Sequence, residues 1–345
     1  MVLWLTVAGR IGILFSMKIH PLVFCAAVWS RQSILCALAL VLTTGMAGES
    51  APAPSLELFP AGVRRVVFLG DSITYGGDYV CDFTAWLRTR EPDRQYTIIN
   101  VGLPSETVSG LSEPEHLTRY KFARPDLHER LERVLAQTKP DLVIACYGMN
   151  DGIYLPLDEA RFQAFREGVR WLHATVEKGG AKIIHVTPPV FDEMKGGHPG
   201  YSAVLDKYSE WLVTQRVAGW QVIDLHTPMK QALAAARVTD PKFALAKDGI
   251  HPGESGHWLM AKAILTSLGA TDVVDAATDT AMLARWRHGP EILRLIRQQQ
   301  AVMKDAWLTA TGHKRPMRSG LPLKEAQAKA DELETQIKPL LNEKQ

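Results

Sequence analysis

Residues 64–77 read RRVVFLGDSITYGG, an apolar run that passes directly into glycine and polar residues. Such a run is typical of a strand buried on both faces, and the glycine marks the turn after it. Four similar runs follow at YTIINVG (96–102), DLVIACYG (141–148), AKIIHVTP (181–188) and WQVIDL (220–225). Amphipathic stretches alternate with these runs. The sequence therefore predicts a parallel sheet of five strands with helices on both faces, a three-layer α/β/α sandwich.

The segments between the runs predict helices. Their ranges are 83–90, 127–137, 159–178, 202–216, 228–236 and 254–268. After about residue 275 the pattern changes to three helical pieces. The middle piece starts at Pro290 and carries apolar residues at helical spacing from Ile292 to Trp307, which we interpret as a packing face. The last piece, KEAQAKADELETQI, predicts a charged helix with a solvated face that packs on the core or covers a cleft.

The N-terminal segment resembles an export signal. The apolar run ILCALALVL (34–42) follows Arg31, and Gly45 and Ala47 occupy the positions that a signal peptidase requires. We predict cleavage after Ala47, with Met17 as the alternative start of translation. The run is too short to span a bilayer, so a permanent anchor is the weaker alternative. The prediction is an exported protein in the periplasm, the envelope or the medium.

These boundaries divide the chain into four parts. Residues 1–47 are the signal peptide, 48–61 a linker, 62–272 the α/β domain and 273–345 a helical extension. The formal net charge of +2 is unevenly distributed: residues 1–47 carry +3, residues 281–345 carry +5 and the remainder carries −6. We therefore expect the extension to dock on the acidic body. After cleavage the charge lacks the basic excess typical of nucleic-acid binding, which we exclude.

The cysteines and histidines predict neither a disulfide framework nor a metal site. Only Cys81 and Cys146 follow the signal segment, and buried free thiols are favoured over a disulfide. The histidines are scattered, and the chain has no Walker loop, no G-x-G-x-x-G and no H-E-x-x-H. We therefore predict no metal and no cofactor. The absence of a G-x-S-x-G elbow also disfavours an ordinary α/β-hydrolase.

Reactive side chains lie at four strand or loop ends: three segments follow predicted strands, where an open α/β sheet places its binding sites, and the fourth precedes the last core helix. The four segments are Gly70–Gly77, Asn100–Thr107, Gly148–Gly152 and Asp248–Pro252. Their motifs GDSI, NVG, GMND and DGIHP occur in the order found in the GDSL or SGNH hydrolase family, which the chain resembles over residues 62–270. One such motif occurs by chance in many chains, whereas four in order form a specific signal.

The resemblance implies the SGNH hydrolase fold, with a flavodoxin-like five-stranded sheet, and a serine esterase. Ser72 would be the nucleophile, His251 the general base and Asp248 the acid that orients the imidazole. The oxyanion hole would consist of the N–H groups of Ser72 and Gly102 and the side-chain amide of Asn150. For each of these residues the alternative is a structural role in a cap, a turn or a buried hydrogen bond. We assign Asp71 and Asp151 to structure, as acceptors for loop amides.

The second motif departs from the family. Ser105 occupies the place where a further glycine is common, and a long loop follows. Its polar residues either line a substrate cleft or form a solvated surface. The candidates are Glu106, His116, Arg119, Tyr120 and Arg124.

The sequence thus predicts a secreted, cofactor-independent serine esterase that acts on a short acyl group, such as acetyl on a carbohydrate. The substrate would be a small-molecule or polysaccharide ester. Two alternatives remain open: a lipase or acyltransferase of the same family, and a non-catalytic protein that binds glycan or envelope.

Overall fold

The computed structural model describes residue 59 and residues 62–343, so the predicted signal peptide lies outside the described residues, as does almost all of the linker. The five predicted strands form one parallel sheet in the order β2–β1–β3–β4–β5. Their bounds are β1 Arg65–Gly70, β2 Thr97–Asn100, β3 Leu142–Cys146, β4 Lys182–Val186 and β5 Gln221–Ile223. β2 lies on one side of β1, at the edge of the sheet, and β3, β4 and β5 follow in order on the other side of β1.

Helices cover both faces of this sheet. They are α1 Ser72–Gly76, α2 Asp78–Arg90, α3 Pro114–Tyr120, α4 Leu131–Thr138, α5 Glu159–Lys178, α6 Glu193–Gly196, α7 Tyr201–Thr214, α8 His226–Thr239 and α9 Glu254–Ser267. The C-terminal region adds α10 Asp279–Met282, α11 Gly289–Thr311 and α12 Leu323–Leu341. The helices α2 and α9 pack together on one face. On the other face, Phe165 of α5 stacks on Tyr208 of α7 at 4.2 Å between ring centroids. The predicted three-layer α/β/α sandwich and its helical extension are confirmed.

The predicted helix over 127–137 is interrupted. A short 3-10 turn, Leu127–Glu129, begins after Asp126, whose side chain accepts a hydrogen bond from the N–H of His128 at 2.9 Å. Arg130 then has a non-helical backbone, with φ −127°, and α4 begins at the next residue. The guanidinium of Arg130 enters a buried ion pair, which is described with the site below.

The C-terminal extension packs on the body, as predicted, although the ion pair between Arg88 and Glu334 has its basic partner on the body. Helix α11 lies against α2 and the edge strand β2, and α12 packs along α11. Arg88 of α2 donates to Glu334 of α12 at 2.7 Å, and Gln300 donates to the carbonyl of Ile98 at 3.3 Å. Four apolar residues of α12 are buried, whereas most of its other residues are exposed or intermediate.

Two further predictions concern the cysteines and the membrane. Cys81 and Cys146 are buried and free, which confirms the prediction of two thiols. Burial raises the pKa of both thiols. In the part of the chain that the structure describes, no helix is both long enough and apolar enough to cross a membrane.

Candidate active site

The site begins at the end of β1, where the chain turns at once into the short helix α1. Asp71 caps this helix: its Oδ1 atom accepts a hydrogen bond from the N–H of Ile73 at 2.9 Å. Ser72 is the first residue of α1, and its side chain is only partly covered. A residue at this position has no intrahelical acceptor for its N–H, which therefore points out of the helix beside the hydroxyl.

The structure brings Ser72, His251 and Asp248 into one chain of hydrogen bonds. Ser72 Oγ lies 2.8 Å from His251 Nε2, and His251 Nδ1 lies 2.7 Å from Asp248 Oδ2. The side chains of His251 and Asp248 are 50% and 53% exposed. This is the geometry of a nucleophile, a general base and an orienting acid in an open site.

The loop that carries His251 is held by its own backbone. Asp248 Oδ1 accepts from the N–H groups of Ile250 and His251, at 2.9 and 2.8 Å. Burial raises the pKa of Asp248, but the hydrogen bonds from His251 and Ile250 outweigh burial, so its pKa lies below the usual value. The carboxyl group is therefore ionised at neutral pH, as an orienting acid must be.

Glycine is required within this loop at position 249. Gly249 has φ +79°, and a Cβ atom there would lie 2.3 Å from the N atom of Gly196 and 2.6 Å from the carbonyl oxygen of Asp192. The N–H of Asp192 also donates to the Gly249 carbonyl at 2.9 Å. This close approach fastens the loop to the segment before α6.

Asn150 lies in the turn after β3, and three neighbours orient its side chain. Arg124 Nη1 and the hydroxyl of Tyr154 donate to Asn150 Oδ1, at 3.0 and 3.2 Å. Asn150 Nδ2 donates one hydrogen bond to the carbonyl of Glu106 at 3.2 Å. A side-chain amide has two N–H groups, so one remains for another acceptor. Of the predicted polar-loop residues, Arg124 contacts Asn150 through its side chain and Glu106 contacts it through its backbone carbonyl.

The prediction for Gly102 was wrong. Its N–H donates to Asn100 Oδ1 at 2.9 Å and so is already used. Gly102 instead allows α1 to pack against the second loop, because a Cβ atom there would lie 2.4 Å from the N atom of Tyr75. Its role is close packing.

Sequence reasoning did not single out the backbone N–H of Ser105. This residue has φ +68°, in the left-handed region that non-glycine residues seldom adopt. Among the described residues, none accepts a hydrogen bond from its N–H. The next residue, Glu106, accepts a hydrogen bond from Asn150 through its carbonyl. The departure from glycine at this position was the available signal.

Glu106 does not line a cleft, so this part of the prediction was also wrong. Its carboxylate is completely buried and paired with Arg130, with Oε1–Nε and Oε2–Nη2 distances of 2.6 and 2.7 Å. The hydroxyl of Tyr147 donates to Oε2 at 2.6 Å. Burial raises the pKa of Glu106, although Arg130 opposes the rise. The network supports the second loop from beneath.

The remaining loop candidates lie on α3 and are not in contact with the triad. Tyr120 is 50% exposed, and Arg119 lies over its ring at 5.3 Å from the centroid. The ring of His116 is buried next to Tyr120, with 4.7 Å between the centroids. A role for Arg119 and Tyr120 in binding substrate stays a prediction.

Asp71 and Asp151 have the structural roles that were predicted. Asp151 Oδ1 accepts from the N–H groups of Val108 and Ser109, at 2.9 and 2.8 Å. Burial raises the pKa of Asp71 to about 7 and that of Asp151 to about 6. In residues 62–343, no three metal-binding side chains are grouped to hold an ion.

Comparison with known proteins adds a family and a fold. The model of the GDSL-like lipase/acylhydrolase family matches residues 68–259, and no curated protein matches the chain. Among solved structures, BT4096, a gut microbial diltiazem-metabolizing enzyme, is 23% identical with a TM-score of 0.51. The alignment covers 62% of this chain but only 48% of BT4096, so this chain spans about half the length of that protein.

Two shorter enzymes are also similar. A variant of Axe2, an acetylxylan esterase from Geobacillus stearothermophilus, is 22% identical over 61% of this chain and 96% of Axe2, with a TM-score of 0.45. LAE5, an alpha/beta hydrolase enzyme from the metagenome of Lake Arreo, Spain, is 23% identical over 62% of this chain and 98% of LAE5, with a TM-score of 0.43.

Proposed function

The chain belongs to the GDSL-like lipase/acylhydrolase family, whose members hydrolyse ester bonds, and we propose that it is an exported serine esterase that removes acetyl groups from a carbohydrate. The observation that carries the proposal is the contact of Ser72 Oγ with His251 Nε2 at 2.8 Å, with Asp248 2.7 Å behind the imidazole. Export rests on the N-terminal sequence alone.

In the proposed mechanism Ser72 attacks the ester carbonyl while His251 takes the hydroxyl proton. The tetrahedral intermediate collapses to an acyl-serine, and His251 returns the proton to the leaving sugar hydroxyl. Water, activated by the same imidazole, then releases the acid and restores Ser72. Asp248 accepts from His251 Nδ1, fixes the tautomer and stabilises the imidazolium form.

We assign the oxyanion to the N–H groups of Ser72 and Ser105 and to the free N–H of Asn150 Nδ2. One such donor is typically worth about 3 to 4 kcal/mol, or about a hundredfold to thousandfold in kcat. The assignment to Ser105 is supported by its unused N–H and by the bond between its neighbour Glu106 and Asn150.

The open site supports a large alcohol and a short acyl group. His251 and Asp248 are half exposed, so a polymer can approach the reacting serine without a lid having to move. A long acyl chain would instead require an apolar channel that removes it from water. An acetyl ester of a polysaccharide combines a short acyl group with a large alcohol and therefore fits this site.

An acyltransferase would use the same acyl-serine, and a glycan-binding protein would need none of this chemistry. The free second N–H of Asn150 favours catalysis over binding alone, because it is held ready for an acceptor. Product analysis with an added acceptor sugar distinguishes transfer from hydrolysis.

The direct test compares the protein with its Ser72→Ala variant on p-nitrophenyl acetate, p-nitrophenyl butyrate and acetylated xylan. Ser267→Ala is the matched control, because Ser267 ends α9, far from His251 along that helix. We expect the Ser72 variant to lose at least about a thousandfold in kcat/KM and the control to keep its activity. Equal activity of the Ser72 variant and the parent, with both folded by circular dichroism, would reject the proposal.

A further inference from the structure

The loop that joins α11 to α12, residues 312–322, is strongly basic. It contains Lys314, Arg315 and Arg318 and no acidic residue. We call it the basic loop. Its Arg315 guanidinium lies over the ring of Phe122, 4.9 Å from the centroid. Phe122 follows α3, so this contact joins the C-terminal extension to the long loop after β2.

Exposed aromatic and apolar side chains continue the surface from this contact. Tyr120 lies 6.4 Å from Phe122 between ring centroids and is 50% exposed. Arg119 lies over the Tyr120 ring, so two adjacent rings each carry an arginine. Exposed aromatic faces bind sugar rings, and guanidinium groups bind carboxylate and sulfate.

Arg315 differs from the nearby Arg124 in that it has no anionic partner. Arg124 pairs with Glu113 at 2.6 Å. Within residues 62–343, Arg315 makes no ion pair, and its one hydrogen bond runs from Nη1 to the carbonyl of Pro316 at 3.4 Å. Its Nε atom is buried and has no acceptor. A partly desolvated guanidinium without an anion is unfavourable, and an anionic ligand would correct this.

This surface borders the proposed catalytic site on two sides. On one side, Tyr75 lies three residues after Ser72 in α1, which places their Cβ atoms about 5 to 6 Å apart. Burial and Asp305 raise the pKa of Tyr75 to about 12, and Arg315 is close enough for its charge to oppose the rise. On the other side, Arg124 follows Phe122 by two residues and donates to Asn150.

We propose that Arg315 binds a carboxylate or sulfate group on a sugar unit near the one that carries the ester, so that the preferred substrate is an acidic polysaccharide. The inference rests on the proposed esterase function and deepens it. Tyr120 and Phe122 would contact the apolar faces of the sugar rings, and Arg315 would select the charged polymer over a neutral one.

The kinetic test uses Arg315→Gln, Arg315→Lys and, as matched control, Arg294→Gln, an exposed arginine of α11 that pairs with Glu291. The substrates are p-nitrophenyl acetate, acetylated xylan and acetylated polygalacturonate. We expect Arg315→Gln to raise KM on the polygalacturonate about tenfold or more and to leave the two neutral substrates within about twofold. The lysine variant should retain part of the effect. Added salt should weaken the parent on the acidic polymer more than it weakens Arg315→Gln.

Equal losses on neutral and acidic polymers would make Arg315 a structural residue and overturn the proposal, as would no loss at all. A binding measurement separates this result from failure of the esterase function. Titration calorimetry of the parent and Arg315→Gln with trigalacturonate, a sulfated trisaccharide and xylotriose needs no turnover. Selective binding of either anion by the parent supports the proposal and identifies the anion. No binding of either anion rejects it, whether or not p-nitrophenyl acetate is hydrolysed.

Discussion

Replacing Glu106 with glutamine removes the negative charge from a fully buried ion pair and leaves the Arg130 guanidinium without its partner. Three donor atoms lose a carboxylate acceptor: Arg130 Nε, Arg130 Nη2 and the hydroxyl of Tyr147. Breaking a buried pair in this way costs about 3 to 5 kcal/mol. At an unfolding entropy of about 2.1 cal/mol/K per residue over roughly 280 folded residues, such a loss lowers Tm by about 5 to 8 °C.

The same change should reduce catalysis, because the Glu106 carbonyl holds Asn150 Nδ2 and its neighbour is Ser105. A displacement of about 1 Å in a catalytic donor costs about a hundredfold at most, and we expect a loss in kcat of about tenfold or more. The assays are thermal unfolding followed by circular dichroism and kinetics on p-nitrophenyl acetate below the Tm of the variant.

Two further variants make the reasoning refutable. Glu129→Gln breaks the exposed pair with Arg133 and should cost about 1 kcal/mol or less. The double variant Glu106→Gln/Arg130→Met leaves no unpaired charge and should be more stable than Glu106→Gln alone. If Glu106→Gln unfolds no earlier than Glu129→Gln, or if the double variant is less stable than the single one, the ion pair does not support this loop.

Two other predictions concern the oxyanion donor and the pH dependence of stability. Arg124→Met removes a donor to Asn150 Oδ1, so we expect kcat on p-nitrophenyl acetate to fall about tenfold with little change in KM, and Glu113→Gln, which leaves that bond in place, to retain more activity. Burial and the neighbouring Asp279 raise the pKa of Asp82 to about 8, so the folded protein holds a proton that the unfolded chain loses above its ordinary value of 3.8. Stability from this group falls as pH rises from about 4 to 8. Asp82→Asn should therefore raise Tm at pH 8 but not at pH 4, and equal shifts at both values would contradict the stated pKa.

The strands were predictable because burial on both faces leaves a continuous apolar signal. All five lie inside the predicted runs, and α5 has the predicted bounds, Glu159–Lys178. The short helices α1, α3 and α6 were missed, since a helix of four to seven residues is stabilised by caps and tertiary contacts and carries little periodicity. The break before α4 was missed because its cause, the burial of Arg130 beside Glu106, joins residues that are 24 apart in sequence.

For the site, position at a strand end was sufficient to place Ser72. Asp248 and His251 lie in the loop between α8 and α9 instead, and were identified from the Asp-x-x-His motif that the family resemblance implies. Position at a strand end was not sufficient to predict the role of Gly102, because its N–H donates to the side chain of Asn100, two residues before it. The backbone of Ser105 has a positive φ, which a serine in the sequence does not predict. Hydrogen bonds within a loop depend on exact backbone angles, and short motifs do not specify those.

The extension has a physical connection to the proposed nucleophile. Helix α1 has five residues and cannot be stable by itself, so its position depends on what surrounds it. Two consecutive residues of α11 contact Tyr75, the fourth residue of α1. Lys304 Nζ donates to the Tyr75 carbonyl at 3.0 Å and lies 3.7 Å from the centroid of its ring. The Tyr75 hydroxyl donates to Asp305 at 3.0 Å. The basic loop begins directly after α11 and carries Arg315. One helix therefore positions α1 from behind and also sets the start of the surface proposed to select the substrate, so substitution of Lys304 or Asp305 should alter turnover and specificity together.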